Sequence, residues 1–234
     1  NRVVIDKNKY TWNPETGVLV LLGDDATLVT DIYADFTAKL THRICDGLDK
    51  EVAVRVVFKN ESDVLTNALT LGGEVTIEND LLLTSPLVVN TDKQVIINLN
   101  GKTIKNVTTG ATASSYAIRV KKGTLIIRGE GTVDGGKGAQ YNIALRVDGP
   151  GKAYVEGGHF KVGTDFEGDV NHAVYAADGG EVYISGGKFE SAPKKDTGEY
   201  TTLNLKDNTD AKIVVTGGEF VKFNPQKNVS ENWG

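Results

Sequence analysis

"YVEGGHFKV" (residues 154–162), "YISGGKFES" (183–191) and "VVTGGEFVK" (214–222) restate one strand-like phrase in which only the Gly-Gly pair and the Phe are constant. Two earlier stretches align with them, "INLNGKTI" (97–104) and "IIRGEGTV" (126–133), so the apolar position after the glycine becomes Ile104, Val133, Phe160, Phe189 and Phe220. Successive steps are 29, 27, 29 and 31 residues. A second phrase recurs in phase: "YAIRV" at 116, "IALRV" at 143, "HAVYA" at 172 and "TTLNL" at 201, with apolar centres Ile118, Leu145, Val174 and Leu203. Two independent phrases on one period mark a structural repeat.

The repeating unit holds short alternating strands and turn residues, with no helix-length apolar pattern. Such a unit cannot bury its own apolar face, but stacked copies turn each apolar position into an interior ladder, as in a parallel β-helix. The glycines then have a task. Gly reaches corner backbone angles that cost a residue with a side chain about 1 kcal/mol or more, so Gly-Gly followed by Phe reads as a turn and then an inward anchor. A phosphate cradle would need a helix after the strand, and no helical pattern follows.

The 27 glycines, against seven Phe and two Trp, mark a turn-rich β protein. A net charge of -5 with scattered Lys and Arg leaves no basic stripe, so nucleic acid is not an expected partner. No run approaches 18 apolar residues and "NRVVIDKNKY" (1–10) lacks the apolar stretch of a signal peptide, so no membrane partner is expected. Cys45, the single cysteine, reads as a spectator thiol. "NESDVLTNALTLGG" (60–73) predicts a short helix: Asn60 or Ser62 suits the N-cap, Val64, Leu65, Ala68 and Leu69 form one apolar face, and Gly72-Gly73 stops it. Placed over the open end of the stacked coils, it would act as a lid against edge pairing.

A short helix running into "GGEVTIENDLLLTSPLVV" (72–89), then "KQVIINLNGKTI" (93–104), then repeated Gly-Gly-x-Phe coils resembles the right-handed parallel β-helix of the pectate-lyase-like superfamily. It is similar above all to the small versions in phage and gut-bacterial proteins. The resemblance covers residues 60 to about 225. It implies an all-β, right-handed, single-stranded parallel β-helix with an N-terminal capping helix. It says little about activity, because that architecture serves lyases, hydrolases, phage spikes and structural modules alike.

Residues 1–59 break the period and read as a separate β-rich region ahead of the β-helix at 60–234. "VLVLL" (18–22) follows the turn-like "WNPETG" (12–17), and "EVAVRVVF" (51–58) follows "CDGLDK" (45–50). Between Leu28 and Ile44, a four-residue helical spacing of apolar residues competes with strict alternation, and alternation with β-branched content favours strand. A region this short has too little core of its own. It should pack on the β-helix or on copies of itself, as in trimeric head fibres, tail fibres and tailspikes, whose N-terminal segment docks to the capsid or tail.

Glycan hydrolysis would need converging carboxylates, and the superfamily this chain resembles implies for a lyase calcium held by Asp beside an Arg or Lys. The outward positions of the "YAIRV" row are Arg119, Arg146, Tyr175 and Asn204. The two arginines, one coil apart, could grip an acidic sugar beside Tyr175, which makes Arg119, Arg146 and Tyr175 the candidate ligand-binding residues. No carboxylate stands among those four, so no residue is assigned as catalytic. "DFEGDVN" sets Asp165, Glu167 and Asp169 at alternate positions as calcium would prefer, but Val170 stands where the calcium loop wants Gly and Ala176 where it wants Glu. The segment therefore reads as a solvated loop, and no metal or cofactor is expected. His159 and His172 read as surface or turn histidines. Tyr141 and Tyr200, near the longer connections "GGKGAQ" (135–140) and "SAPKKDTGEY" (191–200), are further candidates for stacking on sugar rings.

The expected function is a non-enzymatic fibre or decoration protein of a phage or prophage. It would sit on the virion surface as a homotrimer, attached to a capsid or tail protein through its N-terminal region and touching host-surface polysaccharide. The rival is a polysaccharide lyase or depolymerase in which Asp165, Glu167 or Asp178 meets Arg146. A secreted bacterial adhesin would require an export signal upstream of Asn1.

Overall fold

The computed structural model describes residues 10–13, 18–21, 31–40, 50–59, 61–163, 170–194 and 197–227. Cys45, the turns expected at 14–17 and 45–49, and the acidic positions Asp165, Glu167 and Asp169 lie outside them. The chain divides into two compact units, Asn1–Val64 and Leu65–Gly234.

The second unit is a parallel β-solenoid, and the two repeated phrases supply its columns. One sheet stacks six parallel strands: Leu81–Leu83, Thr103–Asn106, Thr132–Asp134, His159–Lys161, Lys188–Glu190 and Glu219–Phe220. Its register sets Ile104, Val133, Phe160, Phe189 and Phe220 in one column and adds Leu81 below them. The remaining faces form a nine-stranded sheet in which the long strands Leu87–Asn98 and Gly110–Arg128 each serve two faces. On the earlier face, Leu87, Ile118, Leu145, Val174 and Leu203 stand in register. On the later face, Val75, Ile97, Ile127, Val155, Ile184 and Val215 do the same.

These columns fuse into one buried core, which the helix Glu61–Leu71 joins through Leu65, Ala68 and Leu69. Phe160, Phe189 and Phe220 stack ring on ring, with centroids 5.3 and 5.0 Å apart. That spacing follows from the ladder itself, because parallel strands about 4.8 Å apart bring identical side chains to offset-stacking distance.

The two glycines of each corner do different work. Gly158, Gly187 and Gly218 adopt φ of 89°, 100° and 112°, a region closed to most side chains. Their predecessors sit where coils touch backbone to backbone: a Cβ on Gly186 would lie 2.4 Å from the Glu156 carbonyl oxygen, and one on Gly217 2.3 Å from that of Ser185. The corner therefore needs one glycine for its angle and one for close approach.

A polar ladder runs through the interior at another corner. Ser115, Asn142 and Asn171 stand in register and are buried along with Asn106. The Asn142 amide donates to Asn171 Oδ1 at 3.0 Å, and the Ser115 hydroxyl donates to Asn106 Oδ1 at 3.0 Å. One bond runs within a coil and the other between neighbouring coils, and each pairs groups whose unmet burial would cost about 1–3 kcal/mol; the Asn171 amide nitrogen stays buried without a partner among the described residues.

In the first unit, Tyr10–Asn13 pairs antiparallel with Val18–Leu21, and Asp31–Leu40 with Lys50–Lys59. The longer ribbon settles the strand-or-helix ambiguity around residues 31–40 as strand. Its register places Ile32, Ala34, Phe36 and Ala38 opposite Phe58, Val56, Val54 and Val52 on one face. The alternate positions oppose Asp31 to Lys59, Asp35 to Arg55 and Lys39 to Glu51.

Candidate functional site

Arg119, Arg146, Tyr175 and Asn204 occupy one outward row of the solenoid in register, as their spacing predicted. The structure adds Asp148, two residues beyond Arg146 on the same strand, which intercepts both arginines. Arg119 Nε donates to Asp148 Oδ2 at 2.6 Å and Arg146 Nε to Asp148 Oδ1 at 2.8 Å. The Arg146 guanidinium also lies 5.2 Å from the Tyr116 ring centroid and 5.3 Å from that of Tyr175, and it donates to the Tyr116 hydroxyl. Burial works against the Arg146 charge, but the hydrogen bond and charge of Asp148 outweigh it and raise the guanidinium's pKa. Burial likewise raises the Tyr175 hydroxyl, against the pull of Arg146. An arginine held by one carboxylate and two rings is a rung-to-rung tie. Both arginines expected to meet an acidic sugar are thus paired with Asp148 through their Nε groups.

Of the two histidines expected at the surface or in turns, His172 departs from that placement. His172 is buried: its Nδ1 bonds the Thr201 carbonyl at 2.7 Å, its Nε2 lies 3.2 Å from the Asn204 amide nitrogen, and its ring stacks on Tyr175. The carbonyl can only accept, so Nδ1 carries the proton. His159 is half-buried, with Nε2 3.3 Å from Glu190 Oε2 but not aligned to hydrogen-bond it. Asp178, a residue of the rival catalytic reading, pairs with Lys206 at 2.7 Å instead of meeting Arg146. Tyr141 is 38% exposed, and Tyr200 takes Lys222 over its ring at 5.8 Å.

The outward surface of the later face went unread in the sequence. Ile96, Ile126, Tyr154, Tyr183 and Val214 form one outward row in register. Tyr154 and Val214 are each 38% exposed, and the two tyrosine rings stack at 5.0 Å and 11°. The signal was available, since the last three are the first letters of the repeated Gly-Gly-x-Phe phrases. Beside them, Lys152 and Lys212 converge on Glu181 at 2.9 and 3.3 Å, and Tyr183 donates its hydroxyl to the same carboxylate. The Tyr183 hydrogen bond, followed by that of Lys152, holds the Glu181 carboxyl at about 2 against its ordinary 4.5. On the other side stand Glu156, Ser185 and Thr216, which with the tyrosines line a depression of about 110 Å³. Small-molecule sites enclose ~300–1,000 Å³, and this depression is smaller than that.

No protein-family model, no curated protein and no solved structure matches this chain.

Proposed function

We propose that the chain is a non-catalytic fibre or decoration protein of a phage or prophage particle. In this reading residues 60–234 form a right-handed β-helix that projects outward, with the helix Glu61–Leu71 as its lid. The observation that carries it is the ion pairing of outward side chains across coils. Asp148 sits between Arg119 and Arg146, Asp134 between Lys105 and Lys161, and Glu181 between Lys152 and Lys212; Lys188 pairs with Glu219. Each of these carboxylates bonds a cation on another coil, which stiffens a rod and engages Asp134, Asp148, Glu181 and Glu219 in structural pairs. The ribbon Asp31–Leu40 with Lys50–Lys59 supports attachment and self-association. A two-stranded ribbon is marginal alone, and this one sets four apolar pairs, Ile32–Phe58, Ala34–Val56, Phe36–Val54 and Ala38–Val52, on one face by its register. Host-surface polysaccharide is the ligand class the projecting solenoid would meet.

Two measurements test this. Antibody raised against the chain should label intact particles induced from the source strain. The pure chain should release neither reducing ends nor unsaturated products from a panel of acidic and neutral polysaccharides. Cleavage that vanishes in Asp178→Asn or Arg146→Gln would overturn the reading in favour of a depolymerase, and absence from particles would overturn the virion assignment.

A further inference from the structure

We propose that the outward row Ile96, Ile126, Tyr154, Tyr183 and Val214 is a contact between copies of this chain, arranged cyclically so that solenoids lie side by side. The inference rests on the oligomeric fibre reading and assigns a second self-contact, on the solenoid itself. Several other outward rows carry paired charges; here five successive rungs, next to Glu74 at the first, present apolar or aromatic groups outward. Contiguous apolar surface of this kind marks an association site.

The ring geometry favours a protein over a sugar. Tyr154 and Tyr183 turn their faces to each other, Lys212 lies 5.2 Å from the Tyr183 centroid, and Ile126 and Val214 occupy the rungs below and above the pair. Sugar stacking requires an open ring face. This row offers ring edges and methyl groups, which pack against another apolar stripe.

The flanks name the partner as a second copy. One flank carries Lys152 and the other Glu156, four residues apart on the same rung. A cyclic arrangement has no translation along its axis, so each flank meets the opposite flank of the next copy at the same height. Lys152 of one copy thereby faces Glu156 of its neighbour. Lys152 bonds Glu181 within its own chain but retains further N–H donors, and the exposed Glu156 carboxylate has no side-chain partner among the described residues. The stripe spans five rungs, roughly 20 Å along the axis. That is well below the ~800 Å² per partner of a stable interface, so it reinforces an assembly that the N-terminal region holds together.

The test uses the full chain, with its self-association measured by sedimentation equilibrium for wild type, Val214→Glu, Tyr154→Glu and Glu156→Lys. Circular dichroism melting checks that each variant folds. Glu156→Lys is the most telling variant, because an exposed carboxylate with no side-chain partner among the described residues has no folding role to lose there. Wild type should assemble, and each folded variant should raise the dissociation constant at least tenfold. Should wild type assemble and all folded variants match it, the stripe is refuted while the fibre reading stands. A wild type that stays monomeric at every concentration overturns both. Unchanged assembly with lost binding to a soluble neutral polysaccharide such as dextran would reassign the stripe to glycan and overturn the proposal.

Discussion

Truncating Phe189 tests the central column most severely. Its ring is fully buried between Phe160 at 5.3 Å and Phe220 at 5.0 Å. The ladder hydrogen bonds fix the rung spacing, so neighbouring coils cannot close over the space left by an alanine. A buried Phe→Ala change costs about 3–5 kcal/mol, and each stacked ring contact adds about 0.5–1.5 kcal/mol beyond area. Phe189→Ala, which loses two stacks, should therefore cost ~5 kcal/mol. Phe160→Ala loses one stack, because Val133 occupies the rung below, and should cost ~4 kcal/mol. Phe220→Ala removes a half-buried ring at the last rung and should cost ~2 kcal/mol. Urea titration followed by far-UV circular dichroism gives all three values. A fall in the slope of the transition would show coils uncoupling, as stacked repeats can. The order Phe189 above Phe160 above Phe220 is the content of the prediction. Equal costs at Phe189 and Phe220, or a cost at Phe189 below ~1.5 kcal/mol, would refute a continuous buried column.

Three further perturbations follow from the ladders. Gly186→Ala forces a Cβ to 2.4 Å from the Glu156 carbonyl and should cost ~2–3 kcal/mol; Gly198→Ala, in open space at φ 72°, should cost only ~1 kcal/mol by the same titration. Asp148→Asn leaves the partly exposed guanidiniums of Arg119 and Arg146 without their shared carboxylate and should cost ~2 kcal/mol, less than for a fully buried pair. Adding Arg119→Gln to that variant should recover part of the loss. Glu181 has its folded pKa depressed to about 2 from 4.5, so its contribution is fully present above pH 4.5 and disappears as pH falls toward 2. Melting temperature against pH should show a shallower acid decline in Glu181→Gln than in wild type, and identical declines would refute the network's role.

The columns were legible because a solenoid converts sequence period directly into space. Residues one coil apart must meet when strands stack in parallel, so the 27–31-residue steps located Ile104 through Phe220 and Ile118 through Leu203 without coordinates. The outward row of Arg119, Arg146 and Tyr175 followed from the same rule. The interior polar ladder and the Ile126–Tyr154–Tyr183–Val214 row obey that period too. They went unread because one holds polar residues where apolar ones were sought, and the other holds apolar residues where polar ones were.

What the chain's own order determined was which residues share a column, since that depends only on repeat length and alternation. Which groups within an outward row bond one another depends on angles and heights that no period encodes. Asp148 reaches both arginines, His172 turns inside against Thr201 and Asn204, and Tyr183 leans to Glu181 because corners and side-chain torsions bring them within 3.2 Å. The tertiary structure alone could therefore show that this row is tied together through Asp148, for hydrogen bonding is decided at distances far finer than the spacing between coils.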